Sequence, residues 1–440
     1  MSAFNPLRKI KTLISSRYAK NLGWLGGAEL INRVFRLATT ITLIRLFSQS
    51  DYGMLSAIYT TFEFALVFSL GEGIGSKILQ ANDEEVDEVA NSVYWMNWIL
   101  MGSIFVLQCL MAYPIALFYK TPALVGPLCL LGLCYLQMPT YAVQDALLAR
   151  ENRLEVRAWS VSAQAMLSNI LVVIFVRLGY GVWGMVWSMV LTYPVWTYIM
   201  RRNHPWRPKR FSLRNWREIS QFGSRVLGVE LLNRVRMNVD YLIIAGFMGT
   251  EALGLYFFAF NAGLGISQSV LWSIGGAWYP EFCAVRSDAI LLRQKLFKTF
   301  KTIAIIIVPL VMLQVGLAQF YIPILAKGNQ WNGAIPIVMI ICLSAIPLAI
   351  ARSTSQMLRA VDKIRLDLIW NTIFVGIFSV AILATVLIGK PYAGGNIQVQ
   401  LIQVAVTVLV TQAVLLPGFT WFVDRELFGF KSIDRFSPKI

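Results

Sequence analysis

The sequence predicts an all-α integral membrane protein of about twelve transmembrane helices, in two six-helix lobes related by a pseudo-two-fold along the membrane normal. Three observations carry that expectation: an apolar composition, recurrent apolar runs of helix length, and a polar motif that occurs twice at a fixed offset. Of the 440 residues, 57% are hydrophobic and 14% charged, and the mean hydropathy is +0.61. Those values lie outside the soluble class and make lipid the expected solvent.

Apolar runs of about 18 to 26 residues recur along the chain, each long enough to cross a hydrocarbon core of roughly 30 Å. The hydropathy pattern predicts spans at roughly 21–46, 54–75, 91–117, 123–147, 160–177, 181–200, 219–248, 253–279, 302–325, 333–351, 367–388 and 399–423. The first run is too long for a signal-peptide core and has no small-residue cleavage site, so it reads as a retained helix. The expected organisation is a basic cytoplasmic N-terminal segment (1–20), an N-terminal lobe (21–200), a basic cytoplasmic linker (201–218), a C-terminal lobe (219–423) and a cytoplasmic tail (424–440). The linker, RRNHPWRPKRFSLRNWR, is the most polar stretch of the sequence. Both it and the first twenty residues fit either an interfacial helix on anionic lipid or a solvated segment.

Orientation follows from where the cations lie. Of the 39 Lys and Arg, 29 fall in the termini and the loops after even-numbered spans, and four on the opposite side. Both termini are therefore expected in the cytoplasm. This partition also accounts for the net charge of +16 without invoking nucleic acid. The inner loop around Lys77 carries Asp83, Glu84, Glu85, Asp87 and Glu88 and reads as a solvated acidic loop. Five cysteines without a C-x-x-C pair, and a single histidine, His204, in a basic loop, predict no disulfide framework, no metal and no cofactor. Proton chemistry, if present, must use carboxylates.

The seventh span repeats the first. Residues 27–34 read GAELINRV and residues 228–235 read GVELLNRV, an offset of 201, and Gly53 and Gly254 share that offset. Six-span halves that both start in the cytoplasm are parallel repeats, which place substrate between the lobes near the midplane. On a helix, Glu29, Asn32, Arg33 and Arg36 form one stripe beside Thr39 and Thr40. The seventh span repeats it with Glu230, Asn233 and Arg234 and adds Arg225, Arg236 and Asp240. A charge at the bilayer centre costs roughly 2.5–3.5 kcal/mol on insertion scales, so such residues face one another or a water-filled cavity. Two readings stay open: Glu29–Arg33, Glu230–Arg234 and Arg236–Asp240 neutralise each other at i,i+4, or the arginines line a cationic cavity suited to phosphate. In the second, Arg33, Arg36, Arg234, Arg236, Asn32 and Asn233 bind substrate, and Glu29, Glu230, Asp240 and Glu63 are the ion-coupling candidates. Asp145 reads as an interfacial partner of Arg150, and most Trp residues as an interfacial belt.

At these residues the sequence resembles the Wzx-type polysaccharide flippases of the multidrug/oligosaccharidyl-lipid/polysaccharide exporter superfamily. The resemblance rests on LIRLFSQSDYGMLSA, ALLARENRLEVRA, LGYGVWGMVWSMVL, VDYLIIAGFMGTEALGLYFFAF and ILAKGNQWNGAIPIV, in this order along most of the chain. It implies a two-lobe transporter in a bacterial inner membrane, moving an undecaprenyl-diphosphate-linked oligosaccharide to the outer leaflet with ion antiport. Membrane lipid and polysaccharide-assembly proteins are the further partners it implies. An exporter of small organic cations would require unpaired carboxylates, whereas arginines here equal or outnumber acids. A polymerase or ligase would require a sizeable outer loop with catalytic groups, and every expected outer loop is about a dozen residues or fewer. A scaffold would leave the duplicated Glu/Asn/Arg motif without a purpose.

Overall fold

The computed structural model describes residues 32, 34–69, 77–214, 216–326, 330–392 and 394–428. Helix α1 covers 34–46 and gives way to α2 (Gln49–Val67) at Ser48. The sequence Ser-Gln-Ser-Asp builds a capping box there: the Ser48 N–H donates to Asp51 Oδ2 at 2.9 Å, and the Asp51 N–H donates to Ser48 Oγ at 3.1 Å. Next come α3 (Val86–Phe118), α4 (Val125–Gln137), α5 (Pro139–Arg150), α6 (Leu154–Arg177) and α7 (Gly181–Asn203). The second half continues with α8 (Trp216–Met248), α9 (Thr250–Gly275), the short α10 (Trp278–Cys283) and α11 (Ala289–Ala326). It ends with α12 (Ile335–Leu343), α13 (Ala345–Ala360), α14 (Ile364–Tyr392) and α15 (Ile397–Phe428).

Seven helices among the described residues are long and apolar enough to cross a membrane, or eight when the bent pair α4–α5 is taken as one span. The protein is therefore a multi-pass helical membrane protein. The α4–α5 pair bends by 45° where Pro139, which has no N–H to donate back, follows Met138. Several helices outrun their apolar cores: α11 begins at Ala289, thirteen residues before the apolar window at 302, and α13 runs to Ala360 rather than stopping near 351. Charged turns at a membrane surface keep their backbone bonds, so hydropathy marks the hydrocarbon boundary and not the helix end.

Contacts divide the chain into two units, one of Met1–Phe47 and Ile58–Leu231, the other of Ser48–Ala57 and Leu232–Ile440. In the first, α3 packs on α4, α4 on α7 and α6 on α7; in the second, α11 packs on α12, α12 on α15 and α14 on α15. These three pairings repeat between the units. A single 3-10 turn precedes α4 and α12 alike, at Pro122–Leu124 and Asn332–Ala334.

The start of α2 joins the second unit through tight packing. Tyr52 meets Trp331 and Phe258 edge-on, at ring-centroid distances of 4.9 and 5.9 Å, and Gln49 Nε2 donates to the Gln330 carbonyl at 2.7 Å. Gly53 and Gly254, the pair at the repeat offset, lie against each other's helix start: Gly53 faces the Thr250 carbonyl, and Gly254 faces the Gln49 carbonyl. Thr250 stands at the same offset from Gln49, so each contact is the image of the other. Only residues without a Cβ permit backbones this close.

The linker 204–214 is neither an interfacial helix nor a free strand of chain. Asn91 of α3 clamps its backbone twice, donating to the Arg210 carbonyl and accepting from the Lys209 N–H, both at 2.9 Å. Gln144 Nε2 donates to the Trp206 carbonyl at 3.2 Å, and the Trp206 ring is buried beside Tyr94. The acidic loop is exposed, as expected, and also supplies matching charges to the linker and to the end of α5: Asp87 pairs with Lys209, Glu88 with Arg214 at 2.9 Å, and Asp83 with Arg150 at 2.6 Å. Exposed pairs of this kind contribute roughly 0–1 kcal/mol each, so the buried clamp and ring carry more of the attachment.

Candidate functional site

The first unit holds part of the predicted stripe. Glu29 and Arg33 lie outside the described residues. Asn32 is buried, and Arg36 and Thr40 are exposed one turn apart on α1. Thr39 points the other way, donating to Asn169 Oδ1 of α6 at 2.8 Å and to the Phe35 carbonyl at 3.1 Å. Its role is to tie α1 to α6. Glu63 is half-buried on α2, and Glu230 half-buried on α8. Asp145 pairs with Arg157 at 3.4 Å, not with Arg150, which is taken by Asp83 and the carbonyls of Ile78 and Ala81.

The second unit gathers a denser polar group. Asn233, Arg234 and Arg236 are half-buried on α8. Arg236 and Asp240 are spaced for an i,i+4 pair but do not neutralise each other, because each has a nearer partner on another helix. Arg236 donates through Nη1 to Asn371 Oδ1 of α14. Asp240 is buried, with Oδ2 accepting from the Tyr256 hydroxyl of α9 at 2.9 Å and Oδ1 from the Tyr241 N–H at 3.0 Å.

From Asn371 the network runs to groups that hydropathy leaves in the loop after the tenth span. Asn371 Nδ2 donates to Asp367 Oδ1 at 3.0 Å, and Ser355 Oγ donates to the same oxygen at 2.7 Å. Arg359 Nε stands 3.5 Å from Asp367 Oδ2, and the Asp367 side chain is only 3% exposed. Arg352, two helical turns before Arg359, lies within electrostatic reach of both Arg236 and Arg359. Arg236 and Arg359 thus share one carboxylate, Asp367, and Arg352 brings a third guanidinium within reach of both, the group spanning helices α8, α13 and α14. The one signal that marks Arg352 and Arg359 in the sequence is their seven-residue spacing in ARSTSQMLRA, which puts both on one face of a continued helix. Asp367 and Asn371, at i,i+4 in the first turns of α14, give the same kind of signal.

A group that is cationic, hydrogen-bonded and embedded in an apolar bundle suits the binding of an anion, since a second negative charge beside Asp367 relieves the repulsion among the guanidinia.

Residues 42–336 match the family described as "Polysaccharide biosynthesis protein". The succinoglycan biosynthesis transport protein ExoT of Rhizobium meliloti (strain 1021) is 22% identical over 94% of this chain and 81% of its own length. The lipopolysaccharide biosynthesis protein WzxC of Escherichia coli (strain K12) is 22% identical over 84% of this chain and 75% of its own. Among solved structures, the lipid II flippase MurJ in an inward closed conformation superposes with a TM-score of 0.73 at 14% identity, covering 94% of this chain and 91% of that one. An inward-facing multidrug resistance MATE family transporter of the MOP superfamily gives 0.72 at 15% identity, covering 89% and 94%. At such identities the structural likeness establishes the fold alone.

Proposed function

Since the chain belongs to the polysaccharide biosynthesis protein family, we propose that it is a flippase for a lipid-linked oligosaccharide, carrying an undecaprenyl-diphosphate-linked repeat unit from the inner to the outer leaflet of a bacterial cell membrane. It is a transporter and not an enzyme. ExoT, a relative named for transport, supports the activity. The observation that carries the reading from family to cargo is the surplus of guanidinium groups over carboxylates at Arg236, Arg352, Arg359 and Asp367. That surplus disfavours the export of small organic cations, because the buried Asp367 is already engaged by Ser355, Asn371 and Arg359.

In this reading the six-span lobes, 21–200 and 219–423, alternate access around a cationic cavity, joined by the linker 201–218. Arg33, Arg36, Arg234 and Arg236 hold the diphosphate, with Asn32 and Asn233 orienting it. Glu29, Glu230, Asp240 and Glu63 carry a coupled proton; at Asp240, protonation would rearrange the hydrogen bonds from Tyr256 and Tyr241. The 29-to-four partition of cations supports cytoplasmic termini.

The test uses export of surface polysaccharide from cells that depend on this protein. Arg33→Ala and Arg234→Ala should each stop export while the purified variants keep near-native thermal stability, and Lys should restore only part of the activity because it loses the bidentate geometry. If the arginines serve only to neutralise Glu29 and Glu230, the single change strands a buried carboxylate and stability falls by several kcal/mol. A stable Glu29→Gln/Arg33→Gln double variant that still exports would remove these residues from the binding site.

A further inference from the structure

The exposed face of α9 is unusual for a helix in lipid. At 3.6 residues per turn, Asn261, Gly265, Gln268, Ser269, Trp272, Ser273 and Gly276 fall within an arc of about 140°, and all are exposed or half-buried. Asn261, Ser269 and Ser273 each donate to the carbonyl four residues back on their own helix, at 2.8–2.9 Å. They therefore lie flat along it. Trp272, 63% exposed, is the one large side chain in this stripe. A polar, small-residue face on a membrane-crossing helix borders water or polar cargo, so Trp272 is set apart from the lipid-facing belt that interfacial Trp residues form.

One face of the Trp272 ring is covered by a guanidinium. Arg352 Cζ of α13 lies 3.5 Å from the ring centroid, a close cation–π contact. The Arg352 stem follows the last turn of α9, with Nε 3.8 Å from where a Cβ on Gly275 would stand. Arg352 has no carboxylate partner among the described residues, and Asp367, the carboxylate of this group, is engaged by Arg359. Trp272 is otherwise 63% exposed, with Arg352 its one cationic or aromatic ring contact among the described residues.

We propose that Trp272 and Arg352 form a subsite for an acidic sugar residue of the cargo, the exposed indole stacking on the pyranose ring and the Arg352 guanidinium taking its carboxylate. Arg359 and Arg236 supply further positive potential behind it. The pairing of a flat apolar platform with an adjacent charge matches a uronic-acid-type ring, which presents a C–H face and a carboxylate on one scaffold. A diphosphate has no ring face to offer and gains nothing from Trp272. This rests on the flippase reading for its cargo class, and it assigns Trp272 and Arg352 the recognition of sugar, leaving the lipid diphosphate to the arginines of α1 and α8.

The experiment is titration calorimetry on the full-length protein in detergent with three probes: tetragalacturonate, neutral cellotetraose and inorganic pyrophosphate. Tetragalacturonate should bind at least tenfold more tightly than cellotetraose, and Trp272→Ala and Arg352→Gln should each weaken it about tenfold or more. Trp272→Phe, which keeps an aromatic face and guards against misfolding as the cause, should retain most of the binding. Pyrophosphate binding should be indifferent to Trp272→Ala. Failure of the wild type to bind tetragalacturonate, equal binding of the neutral probe, or an unchanged affinity in Trp272→Ala would overturn the subsite. So would pyrophosphate binding that falls with Trp272→Ala, which would make the site a phosphate site. Loss of lipid-linked flipping with intact tetragalacturonate binding would count against the transport reading and not against this one.

Discussion

A methyl group placed on Gly254 should pry the start of α9 away from the start of α2. The added Cβ would sit 2.7 Å from the Gly53 nitrogen and 2.8 Å from the Gln49 carbonyl carbon, and closer still to the Gln49 oxygen. Against an optimal separation of about 3.5–4.0 Å for nonbonded carbons, the helices must part by roughly 1 Å or more. The obstruction is backbone, so no rotamer change relieves it. Overpacking of this kind costs about 1–3 kcal/mol, and a gap of that size also forfeits a quarter to a half of each dispersion contact around Tyr52, Phe258 and Trp331. Thermal unfolding of Gly254→Ala in detergent should drop by about 5–10 °C, on the scale of roughly 2–4 °C per kcal/mol. Gly53→Ala should do the same, since its Cβ meets the Thr250 carbonyl. The double variant should be much less than additive, because the first methyl has already separated the helices. Gly265→Ala on the same α9, where a Cβ meets nothing within 4 Å, should be neutral to slightly stabilising. Additive losses, or a Gly254→Ala protein as stable as the wild type, would refute the contact.

Three further outcomes follow from particular residues. Asn91→Ala removes both backbone hydrogen bonds that hold the linker at Lys209 and Arg210, and limited proteolysis within 205–214 should speed up several-fold, whereas Glu88→Gln, losing one exposed pair with Arg214, should change it little. Asp367→Ala leaves Arg236 and Arg359 without their shared carboxylate network and should cost about 2–4 kcal/mol in denaturant unfolding, the lower part of the range for a broken buried pair because Arg359 is half exposed. A reporter active only outside the cytoplasm should stay silent when fused after Arg210 and become active near Gly394; activity at Arg210 would invert the topology.

How far the sequence could be read differs sharply between elements. Apolar periodicity located the helices because burial in lipid demands long uninterrupted runs, yet it cut α13 at the first arginine and so assigned Arg352 and Arg359 to a loop. Hydropathy cannot see a helix that continues through charge by pairing it, as Asp367 does with Arg359. The GAELINRV and GVELLNRV strings made the repeat legible, and the offset between Gly53 and Gly254 acquires its physical meaning in the mutual approach of two helix starts. The partners of Arg236 and Asp240 were not legible. An i,i+4 spacing favours a local pair, but Asn371 is 135 residues away from Arg236, and Tyr256 comes from the next helix. The same holds for the linker, whose partners Asp87, Glu88 and Asn91 lie some 120 residues earlier and carry no periodic signal.

Flipping itself can be measured with the purified full-length protein reconstituted into vesicles that hold an undecaprenyl-diphosphate-linked oligosaccharide, following the sugar's exposure to an impermeant glycosidase. Protein-containing vesicles should expose the inner-leaflet pool within minutes, protein-free vesicles should not, and Arg234→Ala should resemble the protein-free control. Folded protein that leaves the lipid-linked sugar where it started, while moving a small organic cation across the same membrane, would contradict the account.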